Sequence, residues 1–224
     1  MGTSAGGIII QKTSKRISES IVLVFGDNFK KTSYCDCRKS NCIYAGRIDD
    51  KLALINSDLA ERFFSIEHID EKLFAFFDKP NMIFAFEEYD SGACYGYAIF
   101  KNGKLERKLR ANNYNDITVE YGSPDDDELE WINGTEIEDS DNSKLLKNST
   151  NGHEIPMEFK YKAILQLIMQ KKFGFNCETM DDVFSETGHF INESEFLQKN
   201  VALTENKNVT INATSNKWWK FGKK

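Results

Sequence analysis

The 224-residue chain has no continuous apolar run as long as the roughly eighteen residues that a membrane-spanning helix needs. Its early isoleucines, Ile8–Ile10, precede the first positive charges and form no long apolar segment, which argues against a secretory signal. Only three prolines occur, which argues against a long proline-rich linker. We therefore expect a cytoplasmic protein without a membrane span.

Positive charge is missing from one long stretch. Residues 111–143 contain eleven Asp or Glu and no Lys or Arg, and the whole chain carries a formal net charge of −6. A general nucleic-acid-binding protein uses a basic surface to displace counterions from phosphates, so the charge argues against that class. Two interpretations of residues 111–143 remain, a solvated loop or an acidic surface that recognises a protein.

The spacing of a disulfide framework is also absent. The five cysteines form an odd set, as expected in a reducing compartment. Cys35, Cys37 and Cys42 come nearest to a metal-binding motif, but no histidine lies close to them in sequence, and a structural zinc site needs four ligands. We expect ordinary reduced thiols with neither metal nor cofactor, and a zinc-stabilised module remains an alternative.

The strongest positive signal is a three-stranded meander at residues 81–110. Asn102 and Gly103 separate two alternating runs, and both central residues of a type I′ turn need positive φ, which these two residue types accept most readily. If this dipeptide is the loop, Lys101 faces Lys104 and the pairs continue outward from there.

That pairing assigns the two faces of the hairpin. The residues expected to face the core are Phe100, Leu105 and Leu109. The residues expected to face outward are Tyr95, Tyr97, Lys108 and Arg110. The outward face is then either solvated or a recognition surface.

Shorter signals place the other elements. Strands are predicted at residues 17–25, 43–48, 52–56 and 117–121. The first of them has a continuous apolar run, which is typical of a strand covered on both faces. Helices are predicted at residues 57–64 and 69–77, from Pro156 to a C-terminal cap at Gly174, and, over shorter lengths, from Thr179 and from Asn192. Residues 139–152 have the composition of a mobile loop.

Together these elements predict an α+β fold. It has a mostly antiparallel sheet centred on the 81–110 meander, helices packed on one face, and a helical C-terminal extension. The expected divisions are a flexible N-terminus at 1–16, the main domain at 17–176, the helical extension at 177–203 and a polar, aromatic tail at 204–224.

The opening strand, the GYAIFKNGKLERKLR hairpin and the KYKAILQLIMQKKFGF helix together resemble an uncharacterised bacterial α+β domain family. The likeness covers about residues 20–175 and depends on these positions: Tyr97, Phe100, Asn102, Gly103, Leu105, Arg107, Phe173, Gly174 and Phe175. It implies a cytosolic bacterial α+β protein and no known reaction. The cysteine cluster and the region beyond Asn176 depart from the family pattern.

No catalytic signature in the sequence names a reaction. A nucleophilic pair of Cys94 or Cys177 with His153 or His189 has no supporting spacing, because such sites are defined by geometry in three dimensions. The adjacent carboxylates of Glu87-Glu88 point to opposite faces of a strand and are not expected to converge. A hydrolase with a Cys/His or carboxylate site is the alternative function.

The leading hypothesis is a non-enzymatic acidic binding protein, such as an immunity protein that occludes the active site of a basic bacterial toxin. Negative surfaces speed association with basic enzymes, and a tryptophan is a common interface anchor. The residues expected at the partner interface are Tyr95, Tyr97, Asp125, Asp126, Asp127, Glu128, Glu130 and Trp131.

Overall fold

A computed structural model describes residues 4–112 and 116–192 of the chain. The strands are β1 (Ser4–Gln11), β2 (Phe29–Thr32), β3 (Cys42–Ile48), β4 (Lys51–Ile55), β5 (Met82–Tyr89), β6 (Cys94–Lys101), β7 (Lys104–Ala111), β8 (Ile117–Tyr121), β9 (Thr135–Glu138), β10 (Lys144–Lys147), β11 (Glu154–Pro156) and β12 (Glu186–Asn192). The helices are α1 (Ile17–Phe25), α2 (Ser57–Phe64), α3 (Glu71–Phe76), α4 (Asp126–Ile132), α5 (Lys160–Phe173) and α6 (Met180–Val183).

Nine of these strands form one large sheet. Its order is β2-β12-β3-β4-β1-β5-β6-β7-β8, and each neighbouring pair runs antiparallel. The strands β9, β10 and β11 form a separate small sheet. The predicted α+β class with a mostly antiparallel sheet is confirmed.

Helices cover both faces of the large sheet. On one face α1, α2 and α3 pack against residues such as Ile8 and Leu54, and on the other α4, α5 and α6 pack against residues such as Ile9 and Ala53. Successive residues of one strand enter opposite cores because side chains alternate along a strand. The sequence analysis placed the helices on a single face; the second layer forms because the central strands are apolar on both sides.

The central strand β1 lies in the segment predicted to be a flexible N-terminus. A Cβ on residue 7 would lie only 2.3 Å from the carbonyl oxygen of Leu54, so Gly7 is what allows β4 to approach. The buried run Ile8–Ile10 then supplies both cores. The prediction for residues 1–16 is corrected, since three β-branched residues in a row are a strand signal.

Residues 17–25, predicted as the first buried strand, form helix α1 instead. The Glu19 carboxylate accepts a hydrogen bond from the backbone N–H of Arg16 at 3.3 Å and closes the first turn. A short apolar run does not distinguish a strand from a helix by its period. The buried residues of α1 are Ile17, Ser20 and Ile21, at helical spacing.

The meander forms as predicted, from β5, β6 and β7. Asn102 and Gly103 have φ values of 50° and 78°, the positive pair that a type I′ turn requires. Lys101 pairs with Lys104 across this turn, as expected.

The predicted pairing fails farther from the turn. A bulge between Ile99 and Phe100 makes Ile99 pair with Arg107. The extra residue in β7 moves the following side chains to the other face of the sheet. Leu109 therefore pairs with Tyr97 and lies in the core beneath α5, opposite the core that contains Phe100.

Two later predictions are also corrected. The segment 139–152, predicted as a mobile loop, contains β10 at the centre of the small sheet. In the predicted helical extension, residues 186–192 form β12, which inserts between β2 and β3 of the large sheet. The helix expected from Asn192 onward and the tail at 204–224 lie outside the described residues.

The other predicted elements are confirmed with small shifts in their boundaries, and they are β3, β4, α2, α3, β8 and α5. Gly174 ends α5 with a φ of 82°, as its predicted role as a cap requires. In the described parts of the chain, none of the helices combines the length and the apolar character needed to cross a bilayer.

Candidate functional site

Part of the acidic segment at residues 111–143 folds into α4. Much of the charge of this helix and its N-cap is balanced inside the molecule. Asp125 caps the helix by accepting a hydrogen bond from the backbone N–H of Asp127. The Lys172 ammonium lies 2.7 Å from an Asp125 carboxylate oxygen, and the Lys171 ammonium contacts Asp127 at 2.9 Å and also Glu130. Helix α5 therefore supplies the cations that the acidic segment lacks.

Glu128 lies on the buried side of α4. Its Oε1 accepts a hydrogen bond of 2.8 Å from Nη2 of Arg107, and its Oε2 accepts one of 3.1 Å from Nε. Trp131 is buried on the same side of the helix. Both residues hold α4 against the domain and are not available to a partner.

Tyr95 and Tyr97 are buried as well, which corrects the outward orientation predicted for them. Both lie in the core beneath α5, a layer that the sequence analysis did not expect. The Tyr95 hydroxyl donates to Asp90 at 3.1 Å, and burial raises the pKa of both phenols. Of the eight residues predicted at a partner interface, Asp126 alone is exposed.

The clustered cysteines are buried thiols. The Cys35 Sγ donates to the carbonyl oxygens of Phe190, at 3.2 Å, and Ile43, at 3.5 Å. Burial raises the pKa of Cys35 to about 12, and it also raises the pKa of Cys37. Within residues 4–112 and 116–192, no three His, Cys, Asp or Glu side chains are grouped as metal ligands. The Cys35, Cys37 and Cys42 cluster thus contributes to packing.

The Cys/His pairs of the hydrolase alternative are not brought together. His153 packs edge-on against Trp131, with 6.2 Å between the ring centres. His189 lies 4.0 Å from the Sγ of Cys35, whose proton is held by backbone carbonyls. Cys177 is fully buried, and burial raises its pKa. Cys35 and Cys177 are thus buried, whereas Cys94, the other predicted thiol, is half-buried.

Glu87 and Glu88 point to opposite faces of the sheet, as predicted. Glu87 accepts a hydrogen bond of 2.8 Å from Arg110 on the α2 side, and Glu88 lies 3.5 Å from the Lys162 ammonium on the α5 side. The Lys162 ammonium also contacts Asp90 at 3.0 Å, so it lies between the carboxylates of Glu88 and Asp90. Burial raises the pKa of Glu88 to about 7.

The best candidate for a binding surface is the edge strand β8. It pairs with β7 on one side and with no other strand of the described chain on the other. All five of its residues are exposed. The apolar ones are Ile117 (46% exposed), Val119 (37%) and Tyr121 (48%). Val119 and Tyr121 share one face, because side chains alternate along a strand. A bulge opposite Arg110 and Ala111 interrupts the alternation, and Ile117 pairs with Ala111, which lies in the core beneath α5.

The apolar face of β8 is on the same side of the sheet as α2. Val119 pairs with Arg110, whose guanidinium lies 5.3 Å from the ring centre of Phe64 at the end of α2. Glu120 points to the other side, where its carboxylate lies 2.9 Å from Arg107. Val119 and Tyr121 are thus next to the layer of helices that contains α2 and remain exposed to solvent.

The opposite edge of the large sheet differs from β8 in chemistry. Its strand, β2, has only four residues, and the central two, Lys30 and Lys31, are exposed. Short length and lysines discourage the addition of a further strand. The sequence of β8, ITVEY, contains no Lys, Arg or Pro. Of the two edges of the large sheet in the described residues, β8 is the one that exposes apolar side chains and carries no lysine, and its bulge lies at the Ile117 end.

The sequence analysis predicted the strand at 117–121 but assigned recognition to the charged residues that follow it. A signal for an edge was present, since ITVEY follows the meander in sequence and is succeeded by a turn or helix start at Ser123-Pro124. No protein-family model, curated protein or solved structure matches this chain. The function is therefore inferred from the site itself.

Proposed function

We propose that this protein is a non-enzymatic binding protein that takes an extended segment of a basic protein partner along the free edge of β8. The observation that carries the proposal is a strand of five exposed residues at the sheet edge, with the apolar side chains of Val119 and Tyr121 on one face. An added strand pairs with the outward N–H and C=O groups of β8, and its side chains cover those of Val119 and Tyr121.

Charge indicates the kind of partner. Asp116 directly precedes β8, and Glu120, with 45% of its side chain exposed, lies within it. The net charge of −6 adds a long-range field that attracts a basic protein. The acids of α4 contribute to this field, although Asp127 and Glu130 are paired with Lys171 and Glu128 is buried against Arg107.

The most specific form of the proposal is an immunity protein that occludes a basic toxin. It is supported by the acidity of the chain and by an edge suited to one partner segment. Its test is co-expression with the product of the neighbouring gene. Growth protection by the parent chain and loss of protection in the Val119→Lys variant are expected; a harmless neighbouring product contradicts this form.

The general proposal is tested by fluorescence anisotropy with a labelled peptide of alternating valine and lysine. Val119→Lys places a charge at the centre of the edge, and we expect binding to weaken at least about tenfold, which corresponds to about 1.4 kcal/mol. Tyr34→Lys is the control, because Tyr34 is also exposed but follows β2 at the opposite edge of the sheet. The proposal is overturned if the parent chain and the Val119→Lys variant bind the peptide equally. It is also overturned if the parent chain binds a valine–glutamate peptide as tightly as the valine–lysine peptide.

A further inference from the structure

A second apolar surface lies between α1 and α3, away from β8. Val22 and Leu23 of α1 are 53% and 43% exposed. With Ser18, Glu19 and Phe76 they line an open groove with a volume of about 400 Å³. The exposed surface of the groove is almost entirely apolar, although Ser18 and Glu19 are among its lining residues.

From Ile21 to Phe25, helix α1 has apolar residues around its whole circumference. The sequence SIVLVF contributes Ile21 to the core, while Val22 and Leu23 point away from it. A surface helix normally carries polar residues on its outer face, and a helix that is apolar all round is normally covered. The outer face of α1 is therefore suited to a covering segment.

The described chain leaves the sheet beside this helix. Asn192, the last residue of β12, pairs with Phe29 of β2. The ring centre of Phe29 lies 5.7 Å from that of Phe25, the last residue of α1. Everything that follows Asn192 is thus tethered at the C-terminal end of α1.

We infer that residues 217–221 (KWWKF) of the same chain dock in the groove between α1 and α3. The twenty-five residues 193–217 span about 3.3 Å each when extended, whereas α1 rises only about 1.5 Å per residue over its nine residues, so the connection is long enough. Covalent connection raises the effective concentration of the segment at the groove, which makes a modest contact sufficient.

The chemistry of the segment matches the groove. Trp218, Trp219 and Phe221 are the densest group of aromatic residues in the chain after Asn192, and aromatic rings bury large apolar areas with few rotatable bonds. Lys217 and Lys220 flank the two tryptophans and complement Glu19 in the groove. The inference is independent of the function proposed for β8.

The test uses the full chain and amide hydrogen exchange of the peptides that cover α1. Replacing the two tryptophans together (W218A with W219A) is expected to speed exchange in α1 several-fold, because a docked segment shields that helix. The matched control removes two lysines beyond the segment (K223A with K224A) and is expected to leave α1 unchanged. Val119→Lys is expected to leave it unchanged as well.

A second measurement changes a residue of the groove and follows the fluorescence of the tryptophans. Leu23→Asp, at an exposed position, is expected to shift tryptophan emission to the red and to increase quenching by acrylamide. Unchanged exchange in α1 together with unchanged emission overturns the inference. A different result also overturns the inference: Leu23→Asp converts a dimer to a monomer, and the tryptophan replacements have no effect. In that case the groove binds a second copy of the chain.

Discussion

Arg107 on β7 and Glu128 on α4 form a fully buried ion pair, with 2.8 Å between Nη2 and Oε1. The same guanidinium donates to the carbonyl oxygens of Tyr121 and Gly122, at the end of β8. A single side chain thus fixes both α4 and the edge strand to the sheet. The acidic helix is thus packed into the domain, whereas all five residues of β8 are exposed.

Removal of Glu128 is expected to cost about 3–5 kcal/mol of unfolding free energy, because Glu128→Ala leaves the Arg107 charge buried without its partner. Urea unfolding followed by circular dichroism measures the change. The control is Glu106→Ala, which breaks an exposed pair with Lys101 and is expected to cost less than about 1 kcal/mol. Similar losses in the two variants would show that the buried pair has no special structural role.

Gly7→Ala is expected to destabilise the protein by about 1–3 kcal/mol, since the new methyl group meets the backbone of β4. Gly92→Ala is the matched control: its nearest neighbour, the Cys94 Sγ, lies 3.9 Å away, and a change within about 0.5 kcal/mol is expected. Thermal or urea unfolding compares the two. A neutral Gly7→Ala would contradict the placement of β1 at the centre of the sheet.

The buried Glu88 carboxyl is expected to make stability depend on pH. Burial raises its pKa to about 7 from a reference of 4.5, so the unfolded state ionises first as the pH rises. The contribution of the protonated Glu88 carboxyl to the unfolding free energy is complete below about pH 4.5. It is lost as the pH rises to about 7, and the loss amounts to about 3 kcal/mol. The unfolding free energy of the parent chain minus that of Glu88→Gln should fall over this interval. A difference that is independent of pH contradicts the assignment.

Thiol chemistry is expected to separate Cys94 from the other cysteines. Cys94 is half-buried, whereas Cys35, Cys37, Cys42 and Cys177 are buried. Titration of the folded protein with a thiol-reactive disulfide reagent should modify one thiol quickly, and Cys94→Ser should abolish that phase. Denaturant should then expose the remaining four. Rapid reaction of Cys35 or Cys177 in the folded protein would reopen the nucleophilic alternative.

The local part of the fold was predictable from the sequence. The Asn102-Gly103 turn, the helix ending at Gly174 and the strand at 117–121 all depend on short-range rules of turn and cap geometry. The bulge beside Phe100 was not predictable in this way, because the extra residue has no distinctive composition. The extra residue of the bulge determines on which face of the sheet Leu109 lies.

The long-range part was harder to predict for a physical reason. β1 lies between β4 and β5, and β12 lies between β2 and β3, so both strands depend on partners distant in sequence. The residues predicted to bind a partner were chosen for charge and aromaticity. In the fold, Lys171, Lys172 and Arg107 engage those charges, a pairing that the sequence spacing does not reveal.

The central claim is that a partner adds a strand to β8. Its most direct test is residue-resolved amide exchange by NMR with the valine–lysine peptide bound and free. The account predicts new protection of amides in residues 117–121, little change in β2, and no such protection in Val119→Lys. Protection that is absent from β8, or that appears at β2 instead, contradicts the account.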